Sequence, residues 1–167
     1  MTALAPASLE APLTATSTEY PIGLYVHVPF CDAICTYCNF TRVLFDAARA
    51  RRYVAAVVAE IQCATPSLSV DTIYFGGGTP SVLEPGDVSQ ILDACRSLFT
   101  VAHDAEITME ANPESATEVR LAGYRAAGVT RLSLGVQSFR DDELAPLGRL
   151  HSSVGARHAV ASARAVG

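Results

Sequence analysis

Short apolar runs alternate along the chain with longer stretches in which apolar residues recur at helical spacing. The short runs are rich in β-branched and aromatic residues and stop at Pro, Gly or Asn, which is typical of strands. Strands are predicted over Ile22–Val28, Val70–Phe75, Ala105–Glu110 and Val129–Val136. Helices are predicted over Asp46–Ala64, Glu84–Phe99, Ser115–Ala127, Asp141–Leu147 and Ser153–Val166.

This alternation predicts an α/β fold with a parallel sheet, because strands joined through helices pair in parallel with right-handed crossovers. Pro85 favours the start of the second helix, with Asp87 as its expected cap. Ser115 and Glu118, three residues apart, form a capping-box sequence at the third helix. Gly128 is the expected end of that helix.

Composition and charge narrow the class of protein. Apolar residues make up 50% of the chain and charged residues 17%, which excludes disorder for the bulk of it. Residues 1–19 are mainly Ala, Pro, Ser and Thr and predict a flexible leader ahead of one folded domain over residues 20–167. The net charge of -5 argues against a nucleic-acid partner.

No apolar run reaches the roughly 20 residues of a membrane span. The N-terminal segment also lacks the basic and apolar regions of a signal peptide. We therefore expect a cytoplasmic protein without a membrane span.

The residues that could bind a ligand or take part in a reaction follow the predicted strands. The strand ends lead into Cys31–Cys38, Gly76–Pro80, Glu110–Pro113 and Gly135–Phe139. In α/β folds the carboxyl ends of parallel strands meet at one edge, where sites form. The sequence therefore predicts one site built from four strand ends.

Three of the five cysteines are clustered, in the pattern C-x₃-C-x₂-C formed by Cys31, Cys35 and Cys38. In a reducing compartment such a group indicates a metal centre rather than disulfides. Two kinds of centre suit soft thiolate ligands: a [4Fe–4S] cluster with one iron left open, or a structural zinc site completed by His27. Cys63 and Cys95 are expected to be buried free thiols.

The triad directly after the first strand resembles the signature of the radical S-adenosylmethionine (SAM) superfamily. Further segments together resemble the oxygen-independent coproporphyrinogen III oxidase (HemN-like) family: Tyr25–Cys31, Gly76–Ser81, Glu110–Pro113, Arg131–Phe139 and Leu147–His151. This resemblance covers about residues 20–160. It implies a full or partial (β/α) barrel, of which this 167-residue chain would be the N-terminal part, truncated after about four βα units. A closed eight-unit barrel needs roughly 250 residues.

The resemblance also implies cofactors and site residues. The open iron of the cluster would chelate the amino and carboxylate groups of SAM, and an electron donor would then reduce SAM to methionine and a 5′-deoxyadenosyl radical. SAM contacts are implied for Tyr25, Tyr37, Gly77, Gly78, Thr79 and Glu110, and contacts to a second SAM for Gln137 and Arg149. Arg149 is chemically apt, because a guanidinium holds a carboxylate in bidentate fashion. His151 is expected to be structural, and His103 and His158 to be surface residues.

Phe40 indicates which branch of the family the sequence resembles. The oxidase branch, which decarboxylates two propionates of coproporphyrinogen III to vinyls, carries a further Cys at this position. Phe40 resembles instead the haem chaperone group (HemW-type), whose members bind haem and pass it to acceptor proteins. We therefore expect a chaperone-like protein with porphyrin or haem as partner; the decarboxylase and the zinc module remain alternatives. A His-Asn motif tied to haem binding in that group is absent from the 167 residues, so the chain is expected to be a fragment lacking the haem site.

Overall fold

The computed structural model describes residues 20–167, and the predicted leader lies outside the described residues. The strands are β1 (Ile22–Val28), β2 (Phe30–Cys31), β3 (Val43–Leu44), β4 (Ser69–Gly77), β5 (Thr100–Ala111) and β6 (Arg131–Leu134). The α-helices are α1 (Ala47–Gln62), α2 (Pro85–Leu98), α3 (Glu118–Ala127), α4 (Asp141–Leu144) and α5 (Ser153–Ala165). Each predicted strand and helix is found, with shifted ends in several cases.

Four strands form one sheet in the order β1-β4-β5-β6, and every neighbouring pair is parallel. Because strands that follow one another along the sheet are joined through helices, the sheet is a row of βα units, as in an open barrel. The α/β class, the parallel pairing and the partial barrel are thereby confirmed. None of the helices within residues 20–167 is long and apolar enough to cross a bilayer.

The helices cover one face of the sheet. In β1, Val26 and Val28 are buried while Tyr25 and His27, which alternate with them, are exposed. The buried side chains of β4 and β5 join the same apolar core as those of α2 and α3. Successive side chains of a strand point to opposite faces, so Tyr25 and His27 belong to the face of the sheet away from this core, which we call the open face.

Two helix starts differ from the prediction. The cap of α2 is Glu84 rather than Asp87, whose carboxylate instead accepts a hydrogen bond from the Glu84 backbone N–H at 3.2 Å. The cap of α3 is Thr117, because Ser115 belongs to a separate 3₁₀ turn that follows β5. Gly128 ends α3 in the left-handed conformation, with φ of 116°, as predicted.

The ends of three strands also differ. β4 runs over Ser69–Gly77 and so includes two residues of the glycine run, where the prediction ends it at Phe75. β5 begins at Thr100, earlier than predicted, because its first residues pair with the start of β4 before a break in register. β6 is shorter than predicted at both ends. The N–H of Val129 donates to the Tyr124 carbonyl at the end of α3, and the N–H of Val136 turns back onto the Leu134 carbonyl.

Candidate functional site

A cavity of about 360 Å³ lies at the carboxyl ends of the four sheet strands. Ten of the eleven predicted site residues line it: Cys31, Cys35, Tyr37, Cys38, Gly77, Gly78, Thr79, Glu110, Gln137 and Arg149. The eleventh, Tyr25, does not. The parallel sheet explains the convergence, since it brings the loops after separate strands to one edge.

The three clustered thiols are held by a loop that the small β2–β3 pair closes. Cys31 ends β2 and is buried, whereas Cys35 and Cys38 lie further along the loop and are half-buried. The loop returns where the N–H of Val43 donates to the Pro29 carbonyl at 2.8 Å. All five cysteines are free thiols, so none of the three is consumed by a disulfide.

Two of these thiols receive hydrogen bonds from the rest of the cavity wall. The Thr79 hydroxyl donates to Cys31 Sγ at 3.6 Å, and Arg149 Nη1 donates to Cys35 Sγ at 3.5 Å. Burial raises the pKa of Cys31, while the Thr79 hydrogen bond and the positive charge of Arg42 act in the opposite direction. Donors aimed at sulfur favour the thiolate form, which is the form that binds metal.

The three thiols are soft donors of the kind that iron–sulfur clusters take. Within residues 20–167, no three His, Cys, Asp or Glu side chains are grouped so as to hold one metal ion. A cubane cluster asks for a wider arrangement, because each thiolate binds its own iron atom. His27, the fourth ligand of the zinc hypothesis, does not line the cavity; its ring nitrogens contact the Tyr25 hydroxyl and the Thr41 carbonyl.

The glycine run packs against the cysteine loop. A Cβ on Gly78 would lie 2.6 Å from the Phe30 carbonyl oxygen and 3.0 Å from Cys31 Sγ. Gly77 has φ of 116°, a conformation that other residues rarely adopt. The N–H of Thr79 donates to the Phe30 carbonyl at 2.7 Å, which joins the two segments. The missing side chains therefore let the loop after β4 approach the thiols closely.

Glu110, at the end of β5, is held by two donors from β4. The Tyr74 hydroxyl donates to Oε1 at 2.7 Å, and the Gly77 N–H donates to Oε2 at 3.2 Å. The hydrogen bond to the carboxylate, followed by burial, raises the pKa of Tyr74. The Tyr25 ring stacks on Tyr74, with centroids 6.0 Å apart, and its hydroxyl contacts His27 Nδ1. Tyr25 thus packs against Tyr74, the residue that donates to Glu110, and it does not line the cavity.

Arg149 connects the opposite parts of the cavity wall through Asn112. Arg149 Nη2 donates to Asn112 Oδ1 at 2.7 Å and to the Gly135 carbonyl at 2.6 Å. The Asn112 amide in turn donates to Thr79 Oγ1 at 3.3 Å, and Thr79 donates to Cys31. Asn112 was not among the predicted site residues; its signal in the sequence was the Asn-Pro pair that ends β5.

Gln137 is displayed on a tight turn with φ of 67°. The turn is closed by a hydrogen bond from the Ser138 N–H to the Val136 carbonyl at 2.8 Å, the pattern of a strained γ-turn. His151 Nε2 lies 3.0 Å from the same carbonyl, and its Nδ1 lies 3.3 Å from Glu114 Oε2. His151 is therefore structural, as predicted, and it braces the turn that carries Gln137.

The remaining Cys and His residues lie away from the cavity. The prediction that Cys63 is buried is wrong: it follows the last residue of α1, a helix whose buried residues are both in its first half. Cys95 is buried as predicted, and desolvation raises the pKa of its thiol to about 11. His103 and His158 are exposed, as expected.

Comparison with known proteins agrees with this geometry. The model of the Radical SAM superfamily matches residues 25–167. The heme chaperone HemW of Mycobacterium tuberculosis is 42% identical over 167 residues, which cover 96% of this chain and 43% of that protein. The mitochondrial radical S-adenosyl methionine domain-containing protein 1 of Bos taurus is 42% identical over 145 residues, covering 85% of this chain and 33% of that protein.

A solved structure gives the same result. The structure of coproporphyrinogen III oxidase (HemN) from Escherichia coli, described as a radical SAM enzyme, superposes with a TM-score of 0.81 at 31% identity. The match covers 88% of this chain and 35% of that one. The chain thus spans from 33% to 43% of the length of these relatives.

Proposed function

Since the chain belongs to the Radical SAM superfamily, we propose that Cys31, Cys35 and Cys38 hold a [4Fe–4S] cluster and that the adjoining cavity binds SAM. The observation that carries this proposal is the convergence of three free thiols on one cavity wall, with hydroxyl and guanidinium donors on two of them. When bound, the cluster supplies the electron for reductive cleavage of SAM, and an external electron donor restores it.

The chain's own residues have separate tasks at this site. Glu110 is preset by Tyr74 and Gly77 as an acceptor for the amine or ribose hydroxyls of SAM. Arg149 offers its guanidinium to a carboxylate, and Thr79, Gln137, Tyr37 and Gly78 shape the walls. A volume of about 360 Å³ lies within the roughly 300–1,000 Å³ of small-molecule sites. We assign residues 20–167 to the N-terminal part of a radical SAM core domain.

For the whole protein we propose a role in porphyrin metabolism, as a haem chaperone that passes haem to an acceptor protein. Two observations support the chaperone: the relatives named heme chaperone HemW, and Phe40 at the position where the oxidase branch has Cys. The likeness to coproporphyrinogen III oxidase keeps decarboxylation as the second candidate. We propose a cytoplasmic location, because a triad of free thiols needs a reducing compartment.

Anaerobic reconstitution with iron and sulfide tests the cluster. We expect brown protein with about four iron and four sulfide per chain, as a [4Fe–4S] centre requires. Replacing Cys31, Cys35 or Cys38 by Ala should abolish both, whereas Cys63→Ala, at an exposed thiol outside the cavity, should retain both. One zinc per chain without sulfide would overturn the proposal in favour of a structural zinc module.

An assay with coproporphyrinogen III, SAM and a reductant separates the two branches. The chaperone proposal predicts haem binding by the whole protein without turnover of coproporphyrinogen III. Formation of the divinyl product would overturn it in favour of the decarboxylase.

A further inference from the structure

A positively charged surface lies beside the cysteine loop. Four of the twelve Lys and Arg residues of the chain, whose net charge is -5, fall within residues 42–52. Three of them, Arg49, Arg51 and Arg52, are exposed near the start of α1 and are called the basic surface below. None of the three takes part in the ion pairs found among residues 20–167. The basic surface is therefore an excess of positive charge on an acidic molecule.

This placement is unfavourable within the chain itself. The N-terminal end of a helix favours acids, yet α1 has none in its first turn. Like charges three residues apart on a helix, as at Arg49 and Arg52, repel each other. The acids of this segment are Asp32, in the cysteine loop, and Asp46, whose carboxylate is engaged as the helix cap and accepts from the Arg49 N–H at 2.7 Å. An acidic partner brought against the start of α1 would offset both costs.

The basic surface borders the thiols because α1 follows the cysteine loop directly. The N–H of Phe45 donates to the Cys31 carbonyl at 2.9 Å, and α1 begins two residues later, at Ala47. In parallel βα units the helices begin at the edge where the strands end, which is the edge that carries the cavity. The arginines therefore lie beside the loop to which the proposed function assigns a cluster.

Exposed apolar side chains fill the loop between the thiols and the arginines. The large ones are Ile34, Tyr37, Phe40, Val43, Leu44 and Phe45. An apolar patch next to charged side chains is typical of a protein–protein interface. The composition of this part of the molecule therefore fits a docking site for an acidic protein.

We propose that the basic surface and the apolar side chains beside it dock an acidic one-electron carrier protein. This inference rests on the proposed function, in which a cluster is reduced from outside. The carrier passes one electron to the oxidised cluster, so that the carrier is oxidised and the cluster reduced, and no bond forms or breaks. Because electron transfer needs the two centres to lie close together, the position beside the thiols favours a redox protein over other acidic partners. Complementary charge speeds such encounters about 10- to 1,000-fold at low salt.

Rapid anaerobic mixing of the whole, cluster-loaded protein with fully reduced flavodoxin, an acidic flavin carrier, tests the docking surface. The absorbance of the flavin reports the rate of electron transfer. Replacing Arg49, Arg51 and Arg52 together by Gln should lower the rate at low salt about tenfold or more, because it removes the charge that attracts the carrier. The rate of the parent should fall as salt is added, and that of the glutamine variant should depend much less on salt.

Matched variants separate charge and location from general damage. Replacing the same three arginines by Lys keeps the charge and should keep the rate, and so should Arg157→Gln at an exposed arginine of α5. Leu44→Ser, at a side chain that is 58% exposed, should weaken the complex with flavodoxin. Val154→Ser, at a 73% exposed side chain of α5, should not. Dithionite, a small reductant that needs no docking site, should reduce the cluster equally fast in all of them.

The two reductants also distinguish the possible failures. A parent that takes up no iron and sulfide, or whose centre dithionite does not reduce, would overturn the proposed function and the docking surface with it. A loaded parent that dithionite reduces and flavodoxin does not would overturn the docking surface alone. So would a glutamine variant as fast as the parent, the result expected if the rest of the whole protein covers the arginines. Binding to DNA or to vesicles of anionic lipid that is lost in the glutamine variant, with reduction by flavodoxin unchanged, would assign the basic surface to that partner instead.

Discussion

The two faces of the four-stranded sheet use the same strands in different ways. On the helix-covered face, Ile73 and Phe75 of β4 are fully buried in an apolar core shared with α2. On the open face, Tyr74 of the same strand donates to Glu110 and stacks on Tyr25. The covered face is stabilised by apolar area removed from water, which depends little on direction. The open face depends on individual hydrogen bonds, and their strength depends on the direction of donor and acceptor.

The difference separates stability from ligand binding. Removing a side chain from the covered face should reduce the free energy of unfolding and leave the cavity walls in place. Changing one on the open face should alter the cavity with little effect on unfolding. Substitutions matched across the sheet therefore measure whether the two properties are independent in this fold.

The largest effect on stability is expected for Phe75→Ala. The side chain is fully buried in the apolar core that the sheet shares with the helices, and such a truncation costs about 3–5 kcal/mol in the free energy of unfolding. Urea unfolding of the chain, followed by circular dichroism, measures this cost. Tyr25→Ala on the open face is the matched variant, because Tyr25 is 60% exposed and loses mainly its aromatic contact, about 1 kcal/mol. Equal costs for the two variants would contradict the division between the faces.

The elements of the covered face were easier to predict from the sequence, because the spacing of apolar residues along one strand or helix is a local pattern. β1 runs over Ile22–Val28, the bounds that its apolar pattern predicts. The start of β5 was missed because Thr100–Asp104 has no clear alternation and is a strand only through its pairing with β4. The strands β2 and β3 have two residues each, too few for any pattern.

The site was predictable only where a motif marked it. The thiols, the glycine run, Glu110 and Arg149 all stand in recognisable segments, and all line the cavity. Tyr74, Asn112 and Arg42 were missed because their roles come from tertiary contacts; Asn112, for example, joins partners 33 and 37 positions away. Tyr25 packs on Tyr74 and does not line the cavity, and its contact with SAM stays a prediction.

A smaller effect on stability is expected for Gly78→Ala, at the junction of the two faces. The added Cβ would lie 2.6 Å from a backbone oxygen and 3.0 Å from Cys31 Sγ, so the cysteine loop must shift. Strain of this kind costs about 1–3 kcal/mol, and we expect reconstituted iron to fall below the parent level. Gly86→Ala is the control, because its Cβ meets nothing within 4 Å and the change in α2 should be neutral or stabilising. Full iron loading in Gly78→Ala would show that the loop adapts without cost to the cluster.

The smallest effect on the cavity, and the most specific, is expected from two phenol deletions. Tyr74→Phe removes the donor that holds Glu110, a hydrogen bond of about 1 kcal/mol at this half-exposed position, and should weaken SAM binding about fivefold. Tyr124→Phe removes a buried hydroxyl that bonds the Ser81 and Leu83 carbonyls on the covered side. It should lower the free energy of unfolding by about 1–3 kcal/mol and leave SAM affinity unchanged. Calorimetric titration with SAM and urea unfolding of both variants would therefore show a crossed pattern. If Tyr74→Phe binds SAM as the parent does, Glu110 is positioned by β4 backbone alone, and the open face depends less on single hydrogen bonds than the geometry indicates.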